Sequence, residues 1–173
     1  MRTISLLVAL AVVSSVGRGQ SAVWQFAATA CTPYADAINA DRLTNANGNV
    51  RFNGGNTGII NLTCNVDLRV TSVRNLYLTW FEPTGQASRE YEVRAELKGV
   101  SKAQGTIINV SSVSSDGFPA STANVTRESV MVPPAQQALD HRQNYYYVVI
   151  TLRRTGIAHD IKAFGVSIRG SSN

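Results

Sequence analysis

Strict alternation of apolar and charged residues is the feature that most limits how this chain can fold. Between residues 90 and 98, the apolar side chains fall on one side and the charged ones on the other; the apolar set is Tyr91, Val93, Ala95 and Leu97. A period of two residues is the pattern of a β-strand with one buried and one wet face, and it does not match the 3.6-residue period of a helix. The charged row therefore predicts a solvated sheet face with opposite charges paired along and across the sheet.

The rest of the chain repeats strand-like segments that end at Gly, Pro or Asn turns. The predicted strands are 49–53, 58–66, 75–82, 89–100, 105–113, 125–132, 145–153 and 161–169. Residues 35–43 remain ambiguous between a strand and a helical turn. Eight or nine short strands, with no repeat and no second domain, predict an all-β antiparallel sandwich. We expect a jelly-roll-like topology first and an immunoglobulin-like one second.

The first 22 residues have the pattern of a signal peptide. Arg2 supplies a positive start, and residues 4–16 form an apolar run broken only by serines. This run is shorter than the roughly 20 apolar residues that a membrane-spanning helix needs. We therefore expect cleavage near residue 19 or 22. The mature chain, 23–173, is then a single domain with no transmembrane segment, and it is secreted or periplasmic.

The charge of the mature chain excludes one class of partner. The net charge of +5 falls to +3 because Arg2 and Arg18 leave with the leader. So small and scattered an excess does not form the basic patch of a nucleic-acid-binding protein, and no nucleic-acid partner is expected. A chain of about 150 residues buries about two-thirds of its unfolded surface, which is enough for a core without a metal.

Cys31 and Cys64 are the two cysteines of the chain, and both lie in the exported part. An even number of cysteines in an oxidising compartment favours one intrachain disulfide between them. In the chain-entropy model, closing a loop of 33 positions stabilises a fold by roughly 3.5–4 kcal/mol. Two thiols do not complete a zinc site, and their spacing is not that of a CxxC motif, so redox or metal chemistry is the less favoured alternative.

Five segments of the mature chain form a characteristic combination: Ala30–Pro33, Gly54–Cys64, Leu76–Trp80, Asn144–Val148 and Gly165–Ile168. This combination resembles a group of small secreted bacterial β-rich proteins of uncharacterised function. The resemblance implies a small, secreted, largely β protein. It brings no catalytic or binding residues with it, so it assigns no function.

The two histidines are further candidates for catalytic or transition-metal chemistry. Each has an aspartate beside it, as Asp140-His141 and His159-Asp160, and both pairs are expected on loops. No nucleophile motif accompanies them, so we predict no catalytic residue and lean away from an enzyme, with a small hydrolase as the least favoured alternative. The four side chains would suit zinc if both loops met at one end of the sandwich. They are weak candidates, and no cofactor is expected.

Other acidic residues give weaker signals still. The loops around Asp67 and Asp116 are rich in oxygen ligands but lack the density of acidic groups that strong calcium sites show. Glu90, Glu92 and Glu96 share a strand face about 7 Å or more apart, which does not indicate two carboxyl groups facing each other across a glycosidase cleft.

Binding is the more natural use of this architecture, because aromatic side chains on a sheet face stack on sugar rings or anchor a protein. The candidate ligand-binding residues are Trp80, Tyr77, Tyr145, Tyr147 and Trp24. A core position is the stronger interpretation for Trp80, because it alternates with Leu76 and Leu78. We predict a non-enzymatic binding module whose partner is a carbohydrate or cell-surface ligand. The alternative is a subunit of an extracellular assembly, and the oligomeric state stays open.

Overall fold

The computed structural model describes residues 24–34, 42–84, 90–121 and 126–172. The predicted signal peptide and most of the ambiguous segment, residues 35–41, lie outside these ranges. Within them, no helix is long and apolar enough to cross a membrane.

Eleven strands and three short 3-10 turns make up the described part of the chain. The strands are β1 (Trp24–Ala27), β2 (Thr32–Pro33), β3 (Leu43–Ala46), β4 (Asn49–Phe52), β5 (Gly58–Asn65), β6 (Val70–Phe81), β7 (Tyr91–Ser101), β8 (Ile107–Ser114), β9 (Thr126–Met131), β10 (Asn144–Arg154) and β11 (Lys162–Ser172). Each of the eight predicted strands corresponds to one of β4 to β11. The additional strands β1, β2 and β3 are four residues or shorter. β4 is equally short, but the Gly54-Gly55 turn signal that follows it indicated where a strand ends.

The strands form two antiparallel sheets. Sheet A has the order β3-β4-β11-β6-β9, and β1 also pairs with β11, whereas sheet B has the order β2-β5-β10-β7-β8. Only the β3–β4 and β7–β8 connections stay within one sheet; every other connection crosses to the opposite sheet. The predicted antiparallel β-sandwich is confirmed, and its winding is jelly-roll-like.

The hydrophobic core lies between the sheets and is built from alternate residues of the long strands. On β6, Leu76, Leu78 and Trp80 are completely buried. On β10, the inward positions Val148 and Ile150 are buried to the same extent. Because side chains alternate along a strand, the intervening residues of β6 and β10 lie on the outer faces of the two sheets.

The outward row of β7 is less exposed than its charge pattern predicts. Glu92 is only 7% exposed, and Arg94, Glu96 and Lys98 are half-buried. The reason is the position of β7 between β8 and β10, whose outward side chains pack against the row from both sides. The charged residues therefore belong to a packed sheet face.

The predicted disulfide is present between Cys31 and Cys64. Residues 24–33 begin in sheet A, where β1 pairs with β11, and end in sheet B, where β2 pairs with β5. Cys64 lies on β5, so the disulfide attaches this N-terminal crossing segment to sheet B. Both sulfur-bearing side chains are buried in the core.

Candidate functional site

The five aromatic candidates lie in three different places. Trp80 is completely buried between the sheets, and Trp24 is 7% exposed at the edge of the core. Tyr77 is half-buried on the outer face of sheet A. Tyr145 and Tyr147 lie together on the outer face of sheet B, where Tyr145 is 60% exposed and Tyr147 is half-buried.

The outer face of sheet B is a mainly polar surface whose central strand is more deeply buried than the strands beside it. The strand register places the outward residues of β5, β10, β7 and β8 side by side, and we call this surface the platform: Ile59, Asn61, Thr63, Asn65, Glu92, Arg94, Glu96, Lys98, Val100, Ile107, Asn109, Ser112, Ser114, Tyr145, Tyr147, Val149, Thr151 and Arg153. Ile59 and Ile107 are its exposed apolar members. Val149 and Thr151, on the central strand β10, are each only 8% exposed. Their neighbours on the flanking strands therefore form the sides of a shallow trough.

An ion-pair network lies at one end of the platform. Arg153 contacts Glu92 at 3.2 Å and Asp116 at 3.7 Å, and the hydroxyl of Ser114 donates a hydrogen bond to Glu92 at 2.8 Å. Arg94 approaches Glu92 at 3.7 Å. Burial, and then the charge of Glu92, raises the pKa of Asp116. The network holds the side chains of Glu92 and Arg153 in place.

Two further contacts order the middle of the platform. Lys98 pairs with Glu96 at 3.1 Å, and the hydroxyl of Thr151 donates a hydrogen bond to the amide oxygen of Asn61 at 2.8 Å. Three cations (Arg94, Lys98, Arg153) and three carboxylates (Glu92, Glu96, Asp116) take part in these pairs. The platform residues and the adjoining Asp116 therefore carry no net charge, and the ammonium group of Lys102 beside Tyr145 is an additional cation at the edge.

Two tyrosines form the opposite end of the platform. Tyr145 and Tyr147 are two residues apart on β10, about 7 Å along the strand. The ammonium group of Lys102 lies 4.6 Å from the centre of the Tyr145 ring and donates a hydrogen bond to the carbonyl of His141 at 2.6 Å. Lys102 thus fixes one side of an exposed aromatic ring.

The structure does not bring the two Asp-His pairs together. His141 precedes β10 and packs against Tyr146, whereas His159 follows β10 and packs against Tyr91, which pairs with Arg154. The eight residues from Tyr146 to Arg154 therefore separate the two histidines by roughly 26 Å. A ring nitrogen of His141 lies 2.7 Å from the carbonyl of Val70, and His159 meets the ring of Tyr91 edge-on at 5.5 Å. No group of three potential metal-ligating side chains occurs in the described ranges.

The two aspartates of these pairs have structural partners of their own. A carboxylate oxygen of Asp140 accepts a hydrogen bond from the backbone N–H of Arg142 at 2.9 Å. Asp160 pairs with Arg51 at 3.3 Å and with Lys162 at 3.6 Å. These contacts stabilise the loops before and after β10. The two loops therefore do not bring the four weak metal-ligand candidates, Asp140, His141, His159 and Asp160, together.

The glutamates of β7 do not form a facing pair either. Glu92 and Glu96 are four residues apart on one strand, about 13 Å in Cα distance. The paired carboxyl groups of glycosidases are separated by about 5–9.5 Å. Glu92 and Glu96 are therefore too far apart along the strand to face one another as such a pair.

A second concave surface surrounds β1, and two of its lining residues, Trp24 and Asp67, are singled out by the sequence. Two depressions, of about 720 and 400 Å³, flank the strand and share Gln25 and Phe26 as lining residues. The larger one is also lined by Asn65 and the loop that connects β5 to β6. We call the two depressions together the β1 cleft. Its polar members are scattered along the sequence, so no local motif indicated them.

The comparisons with known proteins concern the fold. No family model matches the sequence, and no curated protein matches it. Among solved structures, a family 6 carbohydrate-binding module studied for its binding sub-sites has a TM-score of 0.51 at 9% identity, over 87% of this chain and 95% of that one. Another, from Clostridium stercorarium in complex with cellobiose, has a TM-score of 0.49 at 10% identity, over 90% of this chain and 100% of that one.

A β-1,3-glucan-binding family 6 module from Bacillus halodurans gives a TM-score of 0.44 at 12% identity, over 85% of this chain and 96% of that one. At such identities a structural likeness shows the fold and assigns no binding residue. The chain is thus an antiparallel, jelly-roll-like β-sandwich, and its fold is similar to that of a family 6 carbohydrate-binding module.

Proposed function

We propose that this protein is an exported, non-enzymatic carbohydrate-binding module that binds an uncharged glycan chain on the platform. The observation that carries the proposal is a charge-balanced, hydrogen-bonding sheet face that ends in the exposed Tyr145 and the half-buried Tyr147. The fold shared with a family 6 carbohydrate-binding module supports the same ligand class. The disulfide between Cys31 and Cys64, together with the apolar leader, supports export.

The chemistry of the platform matches the chemistry of a sugar. A sugar ring presents hydroxyl groups, which donate and accept hydrogen bonds, around apolar C–H faces. Asn61 and Glu96 offer acceptors and Lys98 offers donors, while Tyr147 and Tyr145 offer rings for C–H faces to stack upon. Because ion pairs already hold the charged side chains, little conformational entropy is lost when a ligand binds.

The charge balance selects the class of glycan. Every cation of the platform already contacts a carboxylate, so a uronate or sulfated sugar would have to displace an existing pair. A neutral chain instead adds hydrogen bonds to the network. Binding of a neutral ligand to a neutral surface is expected to change little between low and high salt.

Retention of the mature chain on insoluble cellulose, xylan, β-1,3-glucan and β-1,4-galactan tests the proposal. At least one of these neutral polysaccharides should be bound. Tyr147→Ala should weaken binding by about 30-fold, the equivalent of about 2 kcal/mol for loss of an aromatic anchor.

The matched control for Tyr147→Ala is Tyr77→Ala, which removes a half-buried tyrosine from the outer face of the other sheet. This variant should bind as the wild type does. The proposal is wrong if no polysaccharide is retained, or if Tyr77→Ala abolishes retention while Tyr147→Ala leaves it unchanged.

An assembly subunit is the second candidate function, and edge strand β8 favours it. Ile107 is 63% exposed and Ile108 43% exposed on this strand. Exposed apolar residues on a sheet edge are a template for pairing with another chain. Sedimentation of the mature protein would show a stable oligomer if β8 pairs in this way, and replacing Ile107 with Lys would then restore the monomer.

A further inference from the structure

We propose that one end of the sandwich binds hydrogen phosphate, either as the free ion or as a phosphate monoester. The site is a pocket of about 290 Å³ between the turn that joins β4 to β5 and the loop that joins β10 to β11, and we call it the end pocket. Its volume lies at the lower limit of small-molecule sites, which suits a small ligand. The inference is independent of the proposed function and uses none of the platform residues.

The end pocket contains a buried cation without a carboxylate partner. Arg154, the last residue of β10, lines the pocket and is only 5% exposed. Within the described ranges, its guanidinium group forms no ion pair. The carboxylate of Glu90 approaches Gly156 nearby but does not line the pocket. Buried charges in proteins are normally paired, because an isolated one has lost its hydration, so an anion is the expected partner of Arg154.

Backbone carbonyl groups hold this guanidinium in one orientation. Nε donates to the carbonyl of Gly156 at 3.1 Å, Nη1 to that of Gly54 at 3.0 Å and Nη2 to that of Ile157 at 3.0 Å. The two other N–H groups, one on each Nη atom, have no acceptor in the described part of the chain. A fixed guanidinium with two available donors binds an oxyanion with little loss of conformational entropy.

Two further cations make the end pocket electropositive. Arg51 on β4 and Lys162 on β11 both contact the same oxygen of Asp160, Oδ2, at 3.3 and 3.6 Å. Together with Arg154, these residues place three cations and one carboxylate around the pocket. The hydroxyl of Thr44, which also lines the pocket, adds a neutral donor. The pocket therefore favours an anion, in contrast to the platform, whose charges cancel.

Asp160 determines which anion fits. It lines the pocket, and its second oxygen, Oδ1, accepts no hydrogen bond in the described ranges. A carboxylate repels sulfate and phosphodiester groups, which have no proton to donate, but it accepts a hydrogen bond from the P–OH group of hydrogen phosphate. Guanidinium donors combined with one carboxylate acceptor therefore select a phosphate that retains a proton.

An NMR titration of the ¹⁵N-labelled mature protein tests the inference, with inorganic phosphate, methyl phosphate and sulfate added near neutral pH at constant ionic strength. Inorganic phosphate should shift the backbone amide signals of residues 53, 54, 156 and 157, and it should bind at least tenfold more tightly than sulfate. Methyl phosphate distinguishes the two sources of the phosphate group. Equal binding of methyl phosphate supports a monoester as the ligand, and binding at least tenfold weaker supports the free ion.

Two substitutions in the end pocket should act in opposite directions. Arg51→Gln removes a cation and should weaken phosphate binding at least tenfold. Asp160→Asn removes the repelling charge, so sulfate should bind at least tenfold more tightly and the preference for phosphate should disappear. A purely structural role of the Arg51–Asp160 pair would not produce this change in anion preference.

The matched control is Arg69→Gln, which also removes the cation of an arginine–aspartate pair. Arg69 donates to Asp67 through Nη2 at 2.7 Å and through Nε at 3.2 Å, and its backbone N–H donates to the same carboxylate at 2.8 Å. Neither residue lines the end pocket, so this variant should bind phosphate as the wild type does. The inference is overturned if inorganic phosphate shifts none of the four signals, if sulfate binds as tightly as phosphate, or if Arg69→Gln weakens binding as much as Arg51→Gln.

Discussion

Replacing Trp80 with Ala tests whether this side chain stabilises the core or binds a ligand. Trp80 is completely buried, and its ring centre lies 5.6 Å from that of Phe118. A buried tryptophan removes about 150–250 Å² from water, which at 25 cal/mol per Å² is about 4–6 kcal/mol as an upper estimate. Measured Trp→Ala substitutions in cores cost about 3–5 kcal/mol. We therefore expect the free energy of unfolding to fall by about 3–5 kcal/mol.

Urea denaturation followed by circular dichroism measures this change, because the strand signal does not depend on the tryptophan that is removed. Domains of this size unfold with about 5–15 kcal/mol, so the variant should be far less stable or unfolded at room temperature. Trp80→Phe, which keeps most of the apolar volume, should cost clearly less. Tyr147→Ala, on the half-exposed outer face, should change the free energy of unfolding by no more than about 1 kcal/mol. If Trp80→Ala costs under about 1 kcal/mol and instead abolishes glycan retention, the placement of Trp80 in the core is refuted.

Two further predictions concern the disulfide and the Asp67–Arg69 pair. Cys31→Ser/Cys64→Ser should lower the free energy of unfolding by about 2–5 kcal/mol in urea titrations. The reason is that the disulfide no longer restricts the unfolded chain. An unchanged midpoint of the urea transition would contradict this role. The pKa of Asp67 in the folded protein, about 2, lies below its ordinary value of 3.8, so the pair contributes stability above about pH 3.8 that is lost as the pH falls towards 2. An NMR titration of the Asp67 carboxyl should give this low pKa in the wild type and a higher pKa in Arg69→Ala, still below 3.8 because the backbone N–H of residue 69 continues to donate to the carboxylate. Equal pKa values in the two proteins would show that the Arg69 side chain is not the cause.

The long strands were predictable because their information is local. Each of β4 to β11 presents apolar residues on at least one face and ends near Gly, Pro, Asn or Ser. The strand pattern is therefore visible in the sequence without knowledge of the partner strands. The short strands β1, β2 and β3 exist because β11, β5 and β4 offer them hydrogen bonds. Their sequences show no comparable pattern.

The exposure of outward-facing residues was less predictable than the strands. The pattern around Glu92 indicates which face of β7 it occupies, but the buried state of that face depends on Arg153 and Ser114, which lie on other strands. Likewise, His141 and His159 are both recognisable as loop residues. Their separation follows from the length of β10 between them, which places the two loops at opposite ends of the sandwich.

The sequence by itself determined the fold class, the two-residue period of the strands and the pairing of the two cysteines, because these follow from side-chain alternation and from the number of thiols. Only the tertiary structure decided which aromatic rings reach the surface, how the platform charges pair, and that Gln25, Asn65 and Arg69 share one cleft. The physical reason is that a binding surface is assembled across strands that are distant in sequence, and the register between those strands sets which side chains become neighbours.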